Sequence, residues 1–397
     1  MKKNLCVYIT IMACWMLGSC KKADSLNVPL NKSEGKPDVV YGVTVKNDSA
    51  RATITYTLPK NKDLSYVKAV YKLADSSIRE IKASLYSNSL VVDGFGDTLV
   101  HNVQLYAFNK AEVASDPVVV AVKPLENPIW GVLRSMKISP DFAGIRVLAS
   151  NPSRYNVAIE IYKDSLHSWI QYSGIYTSTT DINSAVRGMD TIPQKLAILV
   201  RDRFLNRTDT LFTTLTPYYE TFIPKSWYKE YALPGDAVPA WTANRLSNLW
   251  DGDIINWPNV LITKDEGVPA VLTFDIGKLA KLSRLVTWDY PEYLNSGRTY
   301  FYAGNPRFFE IWGSDSPPLD GSWANWKKLA SCTEVKPSGL PYGTNSSEDY
   351  AKGYAGFNWD LDPTAGPVRY LRIKCLQNWS GSYYLGLSEL LVYGDPR

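Results

Sequence analysis

From residue 39 onward the chain runs in short stretches where apolar and polar side chains alternate. Ala52-Thr53-Ile54-Thr55-Tyr56-Thr57-Leu58 repeats with period two, and so do 67–73 and 103–108. Successive strand side chains point to opposite faces, so this period predicts strands with one buried face. Asp93-Gly94 and Asp116-Pro117 stand between such runs as turn pairs, and no convincing amphipathic helix is visible. Short strands at this spacing predict a sandwich of about 90 residues. Segments 105–124 and 198–217 then share one layout of strand, polar turn, strand and proline. Pro124 and Pro217 are 93 residues apart. That spacing predicts two tandem sandwiches, each with its own core.

The N-terminus follows a different pattern. Lys2 and Lys3 precede a largely apolar stretch of 13 residues at 5–17. Thirteen helical residues reach about 20 Å, short of the roughly 30 Å of a bilayer core. The stretch ends in Leu17-Gly18-Ser19-Cys20, which resembles a bacterial lipobox. The resemblance implies that 1–19 is a signal peptide and that Cys20 receives a diacylglycerol, a lipid anchor to the membrane. Residues 20–37 are polar and aperiodic and read as a tether. Asp24 is the lone acid just after the cysteine, so the acidic run that marks surface display in Bacteroidota lipoproteins is not matched.

Composition narrows the chemistry. The 397 residues carry 43 basic and 39 acidic side chains, a formal charge of +4, and only two histidines, His101 and His167. Multi-histidine zinc sites are excluded and a Ser-His-Asp hydrolase is disfavoured. Of five cysteines, three lie at or before position 20, leaving Cys332 and Cys375. An exported protein permits a disulfide between them, and buried free thiols suit strand positions equally well. Ten of the 13 tryptophans lie from Trp227 onward, where 16 basic and 19 acidic residues leave a net −3. No basic stripe suits a phosphate backbone, so nucleic acid is excluded as a partner.

The aromatic-rich end has an ordered set of blocks. They are Asn248-Leu-Trp-Asp-Gly-Asp253, Ala270-Val-Leu-Thr-Phe-Asp-Ile-Gly277, Arg307-Phe-Phe-Glu-Ile-Trp-Gly-Ser314, Arg369-Tyr-Leu-Arg372 and Glu389-Leu-Leu-Val-Tyr-Gly394. This succession resembles the discoidin family (coagulation factor five/eight type C, galactose-binding-like). Segment 105–124 resembles the last two strands of a fibronectin type III module. The implied fold is all-β, with a fibronectin type III-like sandwich at 38–124, a second Ig-like one at 125–224, and a discoidin-like jelly-roll sandwich at 226–397. The whole layout resembles lipoproteins of Bacteroidota polysaccharide-utilisation loci.

In discoidin-like carbohydrate-binding modules a structural calcium ion sits near the first block. Carried over, its ligands are Asp251, a carbonyl near Asp253, and Glu389, hard oxygen donors of the kind Ca²⁺ takes. Asn256 falls where the family has a threonine, so the loop differs there. Sugar recognition needs flat rings for pyranose C–H faces and planar polar groups for hydroxyls. The turn-rich 289–302 supplies Tyr290, Tyr293, Arg298 and Tyr300, and 378–384 supplies Trp379 and Tyr383. Trp312, Trp326 and Trp359 are read as core. No histidine lies in the domain, so a galactose preference has no support.

Three functions remain open. The first is a non-catalytic, lipid-anchored glycan-binding protein of the outer membrane, capturing polysaccharide or oligosaccharide for partner transporters or enzymes. The second is a structural or adhesion lipoprotein whose third domain binds protein. The third is an enzyme, but no spacing nominates a catalytic carboxylate pair among 39 acids.

Overall fold

The computed structural model describes residues 35–73, 76–166 and 168–397. The signal peptide expected at 1–19, Cys20 and most of the expected tether lie outside the described residues. Strand makes up 51% of the structure and helix 7%. The fold class is all-β, built from sandwiches, as the alternating pattern predicts.

Contacts group the chain into two compact units. Of the described residues, one takes those from 35 to 137 with 147–184 and 195–213; the other takes 138–146, 185–194 and 214–397. In the first unit, Tyr41–Asp48, Arg51–Thr57 and Ser89–Asp93 form a three-stranded antiparallel sheet. Ile78–Ser84, Leu64–Lys72, His101–Asn109 and Val118–Val122 form a four-stranded sheet in that order. Burial alternates along both sheets. Ala52, Ile54 and Tyr56 point inward from one, and Val67, Ala69, Val103, Leu105 and Ala107 from the other. Tyr71 ties the sheets together: its hydroxyl donates to Asp93 O at 2.8 Å and accepts from Asp93 N at 3.0 Å.

A further four-stranded sheet runs Ser168–Thr177, Val157–Ser165, Gln194–Asp202, Leu211–Leu215. Buried Asp202 organises the turn after its third strand. It accepts from Phe204 N at 2.8 Å, Asn206 N at 3.0 Å and Asn127 Nδ2 at 2.9 Å. Asn127 also caps a helix at Pro128–Ser135, accepting from Ile129 N at 3.2 Å, with proline in the first turn. A second helix, Ser347–Ala355, starts with a reciprocal capping box between Ser346 and Asp349. Neither was predicted, because two turns give too few periods to stand out against strand alternation.

In the second unit the strand order is Thr221–Phe222, Gly386–Asp395, Val271–Asp289, Val368–Asn378, Pro306–Ser314, Lys327–Thr333. The block at 270–277, whose alternation and final glycine read as a strand ending at Gly277, belongs to a 19-residue strand, Val271–Asp289, that serves two layers. Its first part pairs with Val368–Asn378 and its last part with Gly386–Asp395, with a register break between Asp275 and Ala280. Gly277 makes the bend: its φ is +82°, and a Cβ there would sit 2.4 Å from Trp227 O. Leu272, Phe274, Leu285, Phe309, Ile311, Leu371, Ile373, Leu390 and Val392 fill the core.

The sequence blocks are contacts in this fold. Arg369 grips Asp275 with two bonds, at 2.9 and 2.8 Å. Arg372 is buried between the rings of Trp323 and Trp326, 4.7 and 4.6 Å from their centroids, and donates to Thr273 Oγ1 at 2.9 Å. Trp326 is buried and Trp359 packs against the core, as expected. Trp312 is half-buried on the sheet face, 5.1 Å from Trp323. Cys332 and Cys375 are both free and buried, on strands either side of Phe309.

Candidate functional site

The aromatic loops of the second unit meet around a cleft of about 470 Å³ whose walls include Trp241, Lys264, Asp265, Glu266, Glu292 and Tyr384. Backbone bonds hold those walls. Ala240 N donates to Ile262 O at 2.8 Å and Lys264 N to Val238 O at 2.9 Å, which fixes the segment carrying Trp241 beside 262–266. Thr263 N reaches Leu385 O at 2.9 Å and places Tyr384 opposite. Tyr384 can approach because position 304 is glycine: a Cβ there would lie 2.5 Å from its ring. Glu292 is half-buried in the wall, and burial pushes its carboxyl above the usual range.

Trp241 is 54% exposed and Trp257 47%, and their rings meet edge to face at 5.2 Å. Tyr293 is 59% exposed on the hairpin of Glu292–Leu294 and Gly297–Thr299. The Arg298 guanidinium lies 5.0 Å over the Tyr293 ring and donates to Ile255 O, tying the hairpin to the loop that carries Trp257. Tyr293 and Arg298, both nominated for sugar contact, are therefore neighbours on one hairpin, tied to the loop of Trp257, which like Trp241 was not nominated. The signal that could have found them is their setting: Ala240-Trp241-Thr242 and Asn256-Trp257-Pro258 are tryptophans among turn residues, outside any alternating run.

Three other nominated rings have a different place. Tyr290 is 4% exposed and packs with Val260 and Ile262; Tyr300 is 4% exposed and packs with Phe301 and Phe357. Neither ring offers a face to a ligand, which corrects the stacking role expected for them. Trp379 packs edge-on to Phe301 at 5.4 Å, with Arg307 at 4.7 Å over its ring and Nε1 donating to Glu334. The ring is partly buried, with Arg307 over it and its edge on Phe301, so it packs the loop as well as reaching the surface. Tyr383 is half-buried, and its carbonyl accepts from Ala270 N at 3.2 Å.

Beneath Trp379 lies a pair of interior acids. Asp289 is 0% exposed and Glu334 is buried, and neither Asp289 oxygen has a hydrogen-bonding partner apart from the neighbouring acid. Burial pushes Asp289 up to about 7; burial, then the neighbouring Asp289, pushes Glu334 well above the usual carboxylate range. Such shifted acids often mark catalysis. Both side chains are buried, and neither lines the cleft beside Trp241.

The implied calcium site fails on its donors. Glu389 is buried, and Lys225 Nζ lies 2.9 Å from Oε1 while Gly252 N donates to Oε2 at 2.6 Å. Asp253 accepts from Asn256 N at 2.9 Å, Ile255 N at 3.1 Å and Asn259 Nδ2 at 3.1 Å. Against desolvation, these donors hold its carboxyl below the usual range. Asp251 accepts from Asp253 N at 2.7 Å and is a turn residue. Among the described residues no group of three or more His, Cys, Asp or Glu is set to hold a metal ion. Asp251 and Glu389, the two carboxylates of the implied set, do not fit a divalent cation here, because an ammonium already neutralises the one that is buried.

Residues 37–124 match the family described as Domain of unknown function (DUF4959), 125–226 that described as Domain of unknown function (DUF5126), and 250–394 the Domain of unknown function DUF5000. No curated protein matches the chain in sequence. The family 32 carbohydrate-binding module of NanJ from C. perfringens, solved in complex with galactose, is 20% identical over 44% of this chain and 98% of its own, at TM-score 0.30. The C-terminal domain of a chitobiase from Bacteroides fragilis is 14% identical over 44% of this chain and 97% of its own, at TM-score 0.30. The solved SusE-like protein BT2857 is 30% identical, and the alignment covers 68% of this chain and 100% of that one, at TM-score 0.46. On that identity across the whole length of the relative, the chain belongs to the family of SusE-like proteins.

Proposed function

We propose that this is a non-catalytic glycan-binding protein of the cell envelope, anchored by lipid at Cys20, that captures polysaccharide or oligosaccharide for partner transporters or enzymes. The observation that carries the reading is the exposed Trp241–Trp257 pair beside a cleft lined by polar side chains. Large rings left in water lose the free energy of burial, roughly 1.5–3 kcal/mol each, unless a ligand covers them. A pyranose does so with its C–H face while carboxylate and ammonium groups meet its hydroxyls. Membership in the SusE-like family supports the same reading.

The test is affinity electrophoresis of the full mature chain through gels containing individual polysaccharides. Retardation by at least one of them, with no release of reducing sugar, is the expected result. Retardation by none, across a broad panel, would favour a protein ligand for the same aromatic surface.

A further inference from the structure

The cleft carries a charge pattern that bears on which glycans it can take. Its walls hold three carboxylates, Asp265, Glu266 and Glu292, against one ammonium, Lys264. Asp265 is held in place: Oδ1 accepts from Gly267 N at 3.1 Å, and Oδ2 accepts the Ser382 hydroxyl. Arg298, on the same hairpin as Glu292, donates to Ile255 O and lies over the Tyr293 ring, and it is not among the residues that line the cleft. A space of about 470 Å³ is roughly 8 Å across. That is no more than the Debye length of about 8 Å at physiological ionic strength, so a ligand inside feels all three carboxylates with little screening.

Carboxylates suit a neutral sugar, because each oxygen accepts a hydroxyl proton and one carboxylate can bridge two neighbouring hydroxyls. The same groups repel a uronate or a sulfate ester. We propose that the Trp241 cleft selects uncharged polysaccharides and rejects those bearing carboxylate or sulfate. This inference rests on the glycan-binding reading above and names the substrate class of that site. The cleft thus combines one stacking face, Trp241, with acceptors arranged for hydroxyl donors.

The test pairs ligands that differ only in charge. Starch, galactomannan, yeast mannan and a β-glucan are each measured beside the same polymer oxidised at C6, against the full mature chain, by affinity electrophoresis and calorimetry. The polymer that binds should lose at least ten-fold in affinity on oxidation. The gap should narrow in 1 M salt, and again in D265N/E266Q, whose amides keep acceptor oxygens without the charge. Equal or tighter binding of the oxidised polymer would overturn the inference and leave the glycan-binding reading standing. So would a gap that neither salt nor D265N/E266Q narrows, since its origin would then be steric. Failure of every neutral and oxidised polymer to bind would overturn the reading itself. Melting curves of D265N/E266Q within 2 °C of the parent would confirm that binding, not folding, is being read.

Discussion

Lys225 Nζ stands 2.9 Å from Glu389 Oε1, and the opposite oxygen of that carboxylate takes the Gly252 N–H at 2.6 Å. One buried carboxylate therefore joins three parts of the domain that are far apart in sequence. In the resemblance-based reading a calcium ion has that task; here a lysine side chain supplies the cation.

Chelation should accordingly leave the domain unmoved. EDTA is expected to shift the melting temperature by less than 1 °C, and added Ca²⁺ by no more. Lys225→Met leaves Glu389 buried without its cation, a change that typically costs about 3–5 kcal/mol. For a unit of this size that is a fall of roughly 6–20 °C. A melting temperature that drops on chelation would restore the metal and reduce the lysine to a bystander.

The acid pair under Trp379 makes stability depend on pH in the unusual direction. Burial raises Asp289 from the ordinary carboxylate range to about 7 and Glu334 well above its own. Between about pH 4 and 7 the native protein holds a proton that the unfolded chain has released, so unfolding releases protons. Stability contributed by this pair is then full on the acid side and is lost as pH rises through that window. Thermal melts at pH 5 and pH 8 should show the lower value at pH 8; Asp289→Asn should reduce the difference, and D289N/E334Q should remove most of it, because burial raises Glu334 with or without Asp289. Melting temperatures that rise from pH 5 to 8 in the parent but not in D289N/E334Q would contradict the assignment.

Trp379 and Trp241 should separate packing from binding. Trp379→Ala removes a ring held against Phe301 and strips Glu334 of its indole donor. Loss of a fully buried aromatic costs about 3–5 kcal/mol; Trp379 is partly buried, so the melting temperature should fall by a part of that amount. Trp241→Ala should leave the melting temperature within about 2 °C. The same thermal loss from both would mean that Trp241 is also part of the core.

The lipid anchor is testable without reference to the fold. Cys20→Ala should prevent acylation and either release the protein from membranes or leave an uncleaved precursor, read by fractionation and metabolic labelling with palmitate. Unchanged labelling and membrane partition would rule out the lipobox assignment.

Strand content was legible because alternation is a local signal: Ala52, Ile54 and Tyr56 alternate in sequence and are buried in the fold. The ordered blocks of the last domain were legible because they are contacts, as Arg369 with Asp275 shows. The long strand through Gly277 was hidden, since a glycine with positive φ looks like an end whether the chain stops or bends. The site was half legible. Tyr293 and Arg298 lie where the loop chemistry put them, whereas Tyr290 and Tyr300, a few residues away on the same loop, turn inward. Alternation cannot decide which ring faces out when a loop has a core of its own. Likewise the carboxylates of Asp251 and Glu389 invite a cation on sequence grounds, and only three-dimensional contact reveals that Lys225 is already there.

The most direct measurement is calorimetric titration of a retained polysaccharide into the full mature chain and into Trp241→Ala/Trp257→Ala. Each stacked ring typically contributes about 1–3 kcal/mol, so the double variant should bind at least 25-fold more weakly while melting within a few degrees of the parent. Equal affinity in a stably folded double variant would place the ligand away from this pair and contradict the account.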